Sequence, residues 1–352
     1  MFPLLLNLVI VSFICLLYLA TPDKNRIITS IFLFATFACL LFVHSMMDID
    51  SLPDLEVYDL DFYEIKRLTF KECFIKGELD SKTEIGYVVL NKLISFVTND
   101  FRGFLWIYSF IMLFMYFKFF TTASPYVALS IMLLLVGPFN QSMFVLRQHL
   151  AVAILLPTFT LIRDRKCIKF LIVLFIAFYL HRSALIFLPI YFIYGLSNKN
   201  LVKTFIVVGI LSVILFSIVL KYFAGLFAVY DKYMEATDSA INYKTAMVAG
   251  MYLFMYILFL KNHVFDEGTN KFTFIMLFMY FIFSLAGIGS TAVMGRLSVY
   301  FSVGILTAIP IILTYIKETW LKIIIFIVVF AIQFYMCFIG SQAQYIANYQ
   351  II

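Results

Sequence analysis

Charge is what this sequence has least of. Only 13% of its 352 residues are charged, against about 25% in a soluble domain, and 64% are hydrophobic. A chain of this size has no interior large enough to hide that much apolar surface from water. A water-soluble globular fold is therefore excluded. The chemical motifs are sparse as well. There is no P-loop, no glycine-rich dinucleotide turn and no HExxH, and the DxD spacing of Asp59-Leu60-Asp61 lies within the acidic segment 47–84. The five cysteines (Cys15, Cys39, Cys73, Cys167, Cys337) include no CxxC pair and no histidine at metal spacing, so neither a disulfide framework nor a zinc site is indicated. Net charge is +6, but the 26 lysines and arginines fall in small clusters rather than in a stripe that would track nucleic acid.

What the chain does have is apolar runs of bilayer length. Phe2 to Ala20 has no basic residue before it, unlike a cleavable signal peptide, and reads as a retained helix. Further runs lie at about 27–46, 103–120, 125–143, 145–162, 168–181, 183–196, 204–222, 244–260, 272–290, 293–315 and 321–339. The expectation is an all-α, polytopic membrane protein of about 12 transmembrane helices, a single membrane domain over 1–352. Around 168–196 the apolar stretch is cut by His181-Arg182-Ser183 into arms too short to cross a 30 Å core, so short or re-entrant helices are expected there, lining protein or a water-filled cavity.

Basic residues in short loops set the orientation. Alternate loops carry thirteen lysines and arginines against five acids, whereas the opposite face carries thirteen against fifteen. Both termini are therefore expected outside. So is the hydrophilic segment 47–84, read as an outer acidic loop, with a second outer loop at 222–243. The stretch 84–98 is too short and too charged to span and reads as an interfacial helix.

With that topology, Arg147, Arg296, His181 and Arg182 all fall at the outer ends of spans. An arginine inside a span is costly unless it has a partner or a purpose. It can snorkel to the headgroups, or it can capture an anion such as phosphate through its fork of donors. A histidine among apolar residues is most often a hydrogen-bonded core residue, and its rival role at position 181 is general base. His149 faces another side of its helix from Arg147 and is the weaker choice. In the outer segment Asp59, Asp61, Tyr63 and Glu84 combine carboxylates with rings, as a sugar-binding surface requires, although most of the eleven acids there read as a solvated face.

These features together resemble the EpsG-like and Wzy-type polysaccharide polymerases of bacterial envelopes. The resemblance rests on Asp59-Leu60-Asp61-Phe62-Tyr63, Glu84-Ile85-Gly86-Tyr87, Arg147-Gln148-His149-Leu150-Ala151, His181-Arg182-Ser183-Ala184-Leu185, and Arg296 followed by Tyr300. It implies a GT-C-like fold in the bacterial inner membrane. The implied activity transfers a glycan from undecaprenyl pyrophosphate onto a hydroxyl of another lipid-linked repeat unit at the outer face. Arg147 and Arg296 would hold the pyrophosphate, and His181, Asp59, Asp61 or Glu84 would take the acceptor proton, with Arg182, Tyr63 and Tyr300 in support. No nucleotide, metal or other cofactor is implied. The partners would be the lipid-linked oligosaccharide, membrane lipid, a flippase and a chain-length regulator. The chain departs from O-antigen ligases in lacking a large outer loop between late spans. A flippase or transporter for the same lipid-linked glycan, and a membrane acyltransferase that modifies sugars, are the alternative readings.

Overall fold

The computed structural model describes all residues except 53, 80–82, 202, 204, 206, 208–238, 267, 288–291, 341, 342 and 352. Among the described residues the secondary structure is helical, with one isolated antiparallel bridge between Met47 and Ile351. Seven helical stretches are long and apolar enough to cross a membrane: Phe2–Ala20, Arg26–Ser45, Phe101–Ala123, Tyr243–His263, Thr269–Ala286, Met294–Thr314 and Thr319–Ile339. The protein is a polytopic helical membrane protein. Each of the seven coincides with a run expected from sequence. Most of the run at 204–222 and most of the segment 222–243 lie outside the described residues.

The remaining four runs, between 125 and 196, are broken into short pieces. The first gives α7 (Val127–Leu135) and α8 (Pro138–Gln141), separated at Gly137 and Pro138. The second gives α9 (Leu146–Leu155) and α10 (Phe159–Arg163), joined by a 3-10 turn containing Pro157. Next come α11 (Cys167–Leu180), a 3-10 turn at Arg182–Phe187 and α12 (Leu188–Tyr194), which carries Pro189 in its first turn. Proline lacks an N–H and clashes with the preceding turn, so helices break or restart there. Broken backbone at membrane depth is tolerated when protein surrounds it, and α7 is buried at every position from Ala128 to Leu135. The continuous helices α1 (Phe2–Ala20) and α2 (Arg26–Ser45) instead leave large apolar side chains uncovered, Phe34 at 75% exposure among them.

The hydrophilic segment 47–84 is not an irregular loop. It holds a 3-10 turn at Ile49–Ser51, α3 (Leu55–Arg67) and α4 (Phe70–Leu79), and leads into α5 (Ile85–Ile94). Its acids obscured a helical stripe, since Leu55, Tyr58, Phe62 and Ile65 are buried along one face of α3. Local chemistry sets the starts of its neighbours. Thr69 and Glu72 exchange hydrogen bonds as a capping box before α4, and Asp100 accepts from the Gly103 N–H at 2.7 Å to cap α6 (Phe101–Ala123).

The chain divides into two compact units. The first comprises Met1–Pro157, Phe175–Arg182 and Glu318–Ile352. In it α1 packs on α2 and α7, α6 packs on α2 and α9, and α3 and α4 pack on α5. The second comprises Thr158–Leu174 and Ser183–Lys317. There α13 (Ser239–Leu260) packs on α14 (Thr269–Ala286), which also meets α12, α15 (Ala292–Ser302) and α16 (Ile305–Thr314). The Thr273 and Thr307 hydroxyls pair at 3.0 Å across two of these helices.

Candidate functional site

Glu84 sits just before the first turn of α5, with extended backbone and no capping bond from its side chain. The carboxylate is instead held by residues distant in sequence. His181 Nδ1 bonds Oε1 at 2.8 Å, the Arg182 backbone N–H donates to the same oxygen at 3.4 Å, and Arg147 Nη1 donates to Oε2 at 2.7 Å. Arg147 is the second residue of α9, and His181 continues the last turn of α11 through its N–H to the Ala177 carbonyl. The first unit thus brings three separate helix ends to one carboxylate.

A glycine makes this approach possible. A Cβ on Gly86 would lie 2.6 Å from the backbone carbonyl group of Tyr179, so only glycine lets the first turn of α5 reach the end of α11. Two tyrosines complete the surroundings of Arg147. Its guanidinium carbon lies 5.8 Å from the Tyr58 ring centre and 5.7 Å from that of Tyr87, and it shares a hydrogen bond with the Tyr58 hydroxyl. The two rings meet edge to face at 5.9 Å.

The electrostatics keep Glu84 ionised. Burial of the carboxyl opposes its charge, but the His181 hydrogen bond and the Arg147 charge outweigh it and hold its pKa down at about 2. An ionised carboxylate only accepts hydrogen bonds. The His181 ring must therefore carry its proton on Nδ1, and in the neutral ring Nε2 presents the lone pair. Burial pushes the Tyr58 and Tyr87 phenols above their ordinary range, so both remain protonated donors.

The other residues singled out from sequence fall as follows. Asp59 and Asp61 are half-buried on α3, on either side of Leu60. Burial and nearby Asp50 raise the Asp59 carboxyl, and the charge of Asp61 reaches Tyr87. The carboxylate bonded by His181 is nonetheless Glu84. Tyr63 is partly exposed, with its ring against Phe62. The Arg182 side chain is exposed, and its contribution here is the backbone N–H. Arg296 and Tyr300 belong to the second unit, on α15. Arg296 is exposed, whereas Tyr300 is buried and accepts from Ser183 Oγ at 3.1 Å. His149 is buried, and its Nδ1 has no partner among the described residues. Among the described residues no three His, Cys, Asp or Glu side chains are grouped to hold a metal ion.

Sequence reasoning gave no role to Tyr58, and Tyr87 entered it only as part of the Glu84-Ile85-Gly86-Tyr87 motif. The available signal was position: Tyr58 continues the apolar stripe of α3, and Tyr87 follows Glu84 by three residues, almost one helical turn.

A family model described as the EpsG family matches residues 52–351. Comparison with curated proteins and with solved structures gives no match.

Proposed function

The chain belongs to the EpsG family, and from that premise we propose that it is a GT-C-like envelope polysaccharide polymerase. In this reading it transfers a glycan from undecaprenyl pyrophosphate to a hydroxyl of another lipid-linked unit at the outer face of the bacterial inner membrane. The observation that carries the proposal is the shared carboxylate: Glu84 holds His181 through one oxygen and Arg147 through the other.

The roles follow from that arrangement. Glu84, with its low pKa, is a poor base but a good orienting group, because it fixes the tautomer of His181 and favours the imidazolium formed during reaction. The acceptor hydroxyl gives its proton to His181 Nε2 as its oxygen bonds the anomeric carbon. The bond from that carbon to the pyrophosphate oxygen breaks, and the lipid pyrophosphate leaves with the electron pair. Arg147, held in a fixed pose by Glu84 and the two tyrosines, offers guanidinium N–H groups to the negative charge that grows on the leaving group. The energy of the donor bond between the anomeric carbon and the pyrophosphate drives the transfer, so the scheme needs neither a nucleotide nor a metal. Arg296 is proposed as a second phosphate-binding residue, tested separately by Arg296→Ala. A flippase and a chain-length regulator are the expected functional neighbours.

The test is to delete the gene in its host and to size and locate the lipid-linked glycans. Single repeat units accumulating on the outer leaflet, with long chains lost, are the expected outcome. Units trapped on the cytoplasmic leaflet would assign a flippase instead, and an unchanged profile would overturn the reading.

A further inference from the structure

Away from the carboxylate site, α4 and α5 form a hairpin whose two faces differ. The inner face is dry: Cys73 and Val88 are fully buried against Ile65 of α3, with Leu68 beside them. The outer face is apolar too, yet uncovered. Phe70, Phe74, Leu93, Phe96 and Val97 are all exposed, Phe96 at 65% and Val97 at 78%. They form one patch rather than scattered positions, since the Phe70 and Phe96 rings lie 5.6 Å apart and join the two arms of the hairpin. A contiguous uncovered apolar surface of this kind marks an interaction site.

Continuity with a membrane span identifies what covers it. Phe96 and Val97 stand five and four residues before Phe101, where α6 starts its crossing. The end of α3 is tied to that level, because Lys66 Nζ donates to the Asn99 carbonyl at 2.9 Å. Lys92 Nζ donates to the Lys66 carbonyl and lies 5.3 Å from the Phe96 ring centre. The patch is therefore level with the end of a transmembrane helix. Its polar margin is basic: Arg67 and Lys71 are exposed beside Phe70, and Lys66 lies behind them. Of the acids nearby, Glu72 and Asp100 are engaged as helix caps.

We propose that the α4–α5 hairpin is an interfacial membrane anchor. Phe70, Phe74, Leu93, Phe96 and Val97 enter the leaflet in which α6 begins, and Arg67 and Lys71 meet anionic lipid headgroups. Aromatic side chains favour this depth, and an amphipathic helix lying there gains from both apolar burial and attraction to anionic lipid. The anchor fixes the height of α5, and with it Glu84 at the start of that helix. This inference depends on the chain spanning a membrane and not on the transferase reading, so the two can fail separately.

The test uses the full chain in nanodiscs. Its two tryptophans are replaced by Trp106→Phe and Trp320→Phe, and Phe96→Trp or Phe70→Trp then serves as a single reporter. In phosphatidylcholine–phosphatidylglycerol discs, lipids brominated near the headgroup end should quench either reporter more strongly than aqueous acrylamide does. Arg67→Glu with Lys71→Glu should reduce that lipid quenching. Quenching by acrylamide with indifference to brominated lipid would overturn the proposal and point to a protein partner for this face. Deuterium exchange on the unsubstituted chain gives a second reading should the tryptophan-free variant fail to fold. Amides 93–99 should exchange more slowly in discs containing phosphatidylglycerol than in pure phosphatidylcholine, and equal rates would again overturn the anchor.

Discussion

Two histidines of the first unit occupy opposite kinds of site. His44, in the last turn of α2, lies between hydroxyls: its Nδ1 pairs with Ser109 Oγ at 2.8 Å and its Nε2 with Ser142 Oγ at 2.9 Å. Both ring nitrogens are occupied, and no charged group takes part. Among the described residues His181 commits one ring nitrogen, to an ionised carboxylate that an arginine also holds. The first arrangement joins α2, α6 and the end of α8. The second orients an imidazole and leaves a nitrogen for a reactant. Counting ring nitrogens, and asking whether their partners are charged, separates a histidine that builds the bundle from one suited to chemistry.

The strongest way to break this comparison is to remove the second arrangement. His181→Ala, with general-base catalysis worth about 10²- to 10⁴-fold, should lower polymer formation by that order while membrane abundance is retained. Arg147→Ala should abolish polymer as well, since truncation removes the guanidinium that faces the charge growing on the leaving group. Wild-type chain lengths in either variant, measured on extracted glycans at matched protein level, would remove the site from the reaction.

Acid should sharpen the comparison from the stability side. The Glu84 pKa is lowered from 4.5 to about 2, a difference of about 3 kcal/mol of native stabilisation. Because the folded-state value is the lower one, that contribution is fully present above the unfolded value and is lost as pH falls through the folded value. Wild type and Glu84→Gln should therefore differ most at neutral pH in thermal unfolding from nanodiscs, and the gap should close towards pH 2. An unchanging gap would mean that the ion pairs contribute nothing to folding.

A smaller effect tests the geometry. Gly86→Ala places a methyl 2.6 Å from the Tyr179 backbone, and overpacking of this kind costs about 1–3 kcal/mol. Moving α5 off α11 also pulls Glu84 from His181, so activity per folded molecule should fall along with melting temperature. Loss of stability with undiminished specific activity would show that the close approach serves packing alone.

Much of this was legible in the sequence and some was not, for physical reasons. The seven long spans were readable because a continuous apolar run carries its own signal. The four runs between 125 and 196 were placed correctly as segments, but most of their interruptions were not foreseen. Pro138, Pro157 and Pro189 stand inside them, and mean apolarity does not register a broken backbone. Glu84, Arg147 and His181 were each singled out, yet their meeting on one carboxylate depends on contacts across 97 and 63 residues of chain, which no local pattern reports. Tyr58 was hidden by the acids around it. His44 drew little notice for the same reason that it is structural, since its partners are two serines indistinguishable in sequence from any others.

The smallest expected effect falls on His44 itself. In His44→Leu each serine loses the imidazole but keeps another acceptor, because Ser109 Oγ lies 2.6 Å from the Leu105 carbonyl and Ser142 Oγ 2.7 Å from that of Phe139. No hydroxyl proton is stranded, and leucine fills the apolar remainder of the site. Tyr108 also continues to hold the junction before Arg147, donating to the carbonyls of Ser142 and Leu146 at 3.3 and 3.1 Å. The loss should then be that of ordinary polar contacts between membrane helices, about 0.6–1.7 kcal/mol, seen as a modestly lower melting temperature in nanodiscs. Polymer formed per folded molecule should match wild type. A fall of the size expected for His181→Ala would erase the distinction, because a histidine with both nitrogens engaged by serines would then be as important to the reaction as one that presents a lone pair.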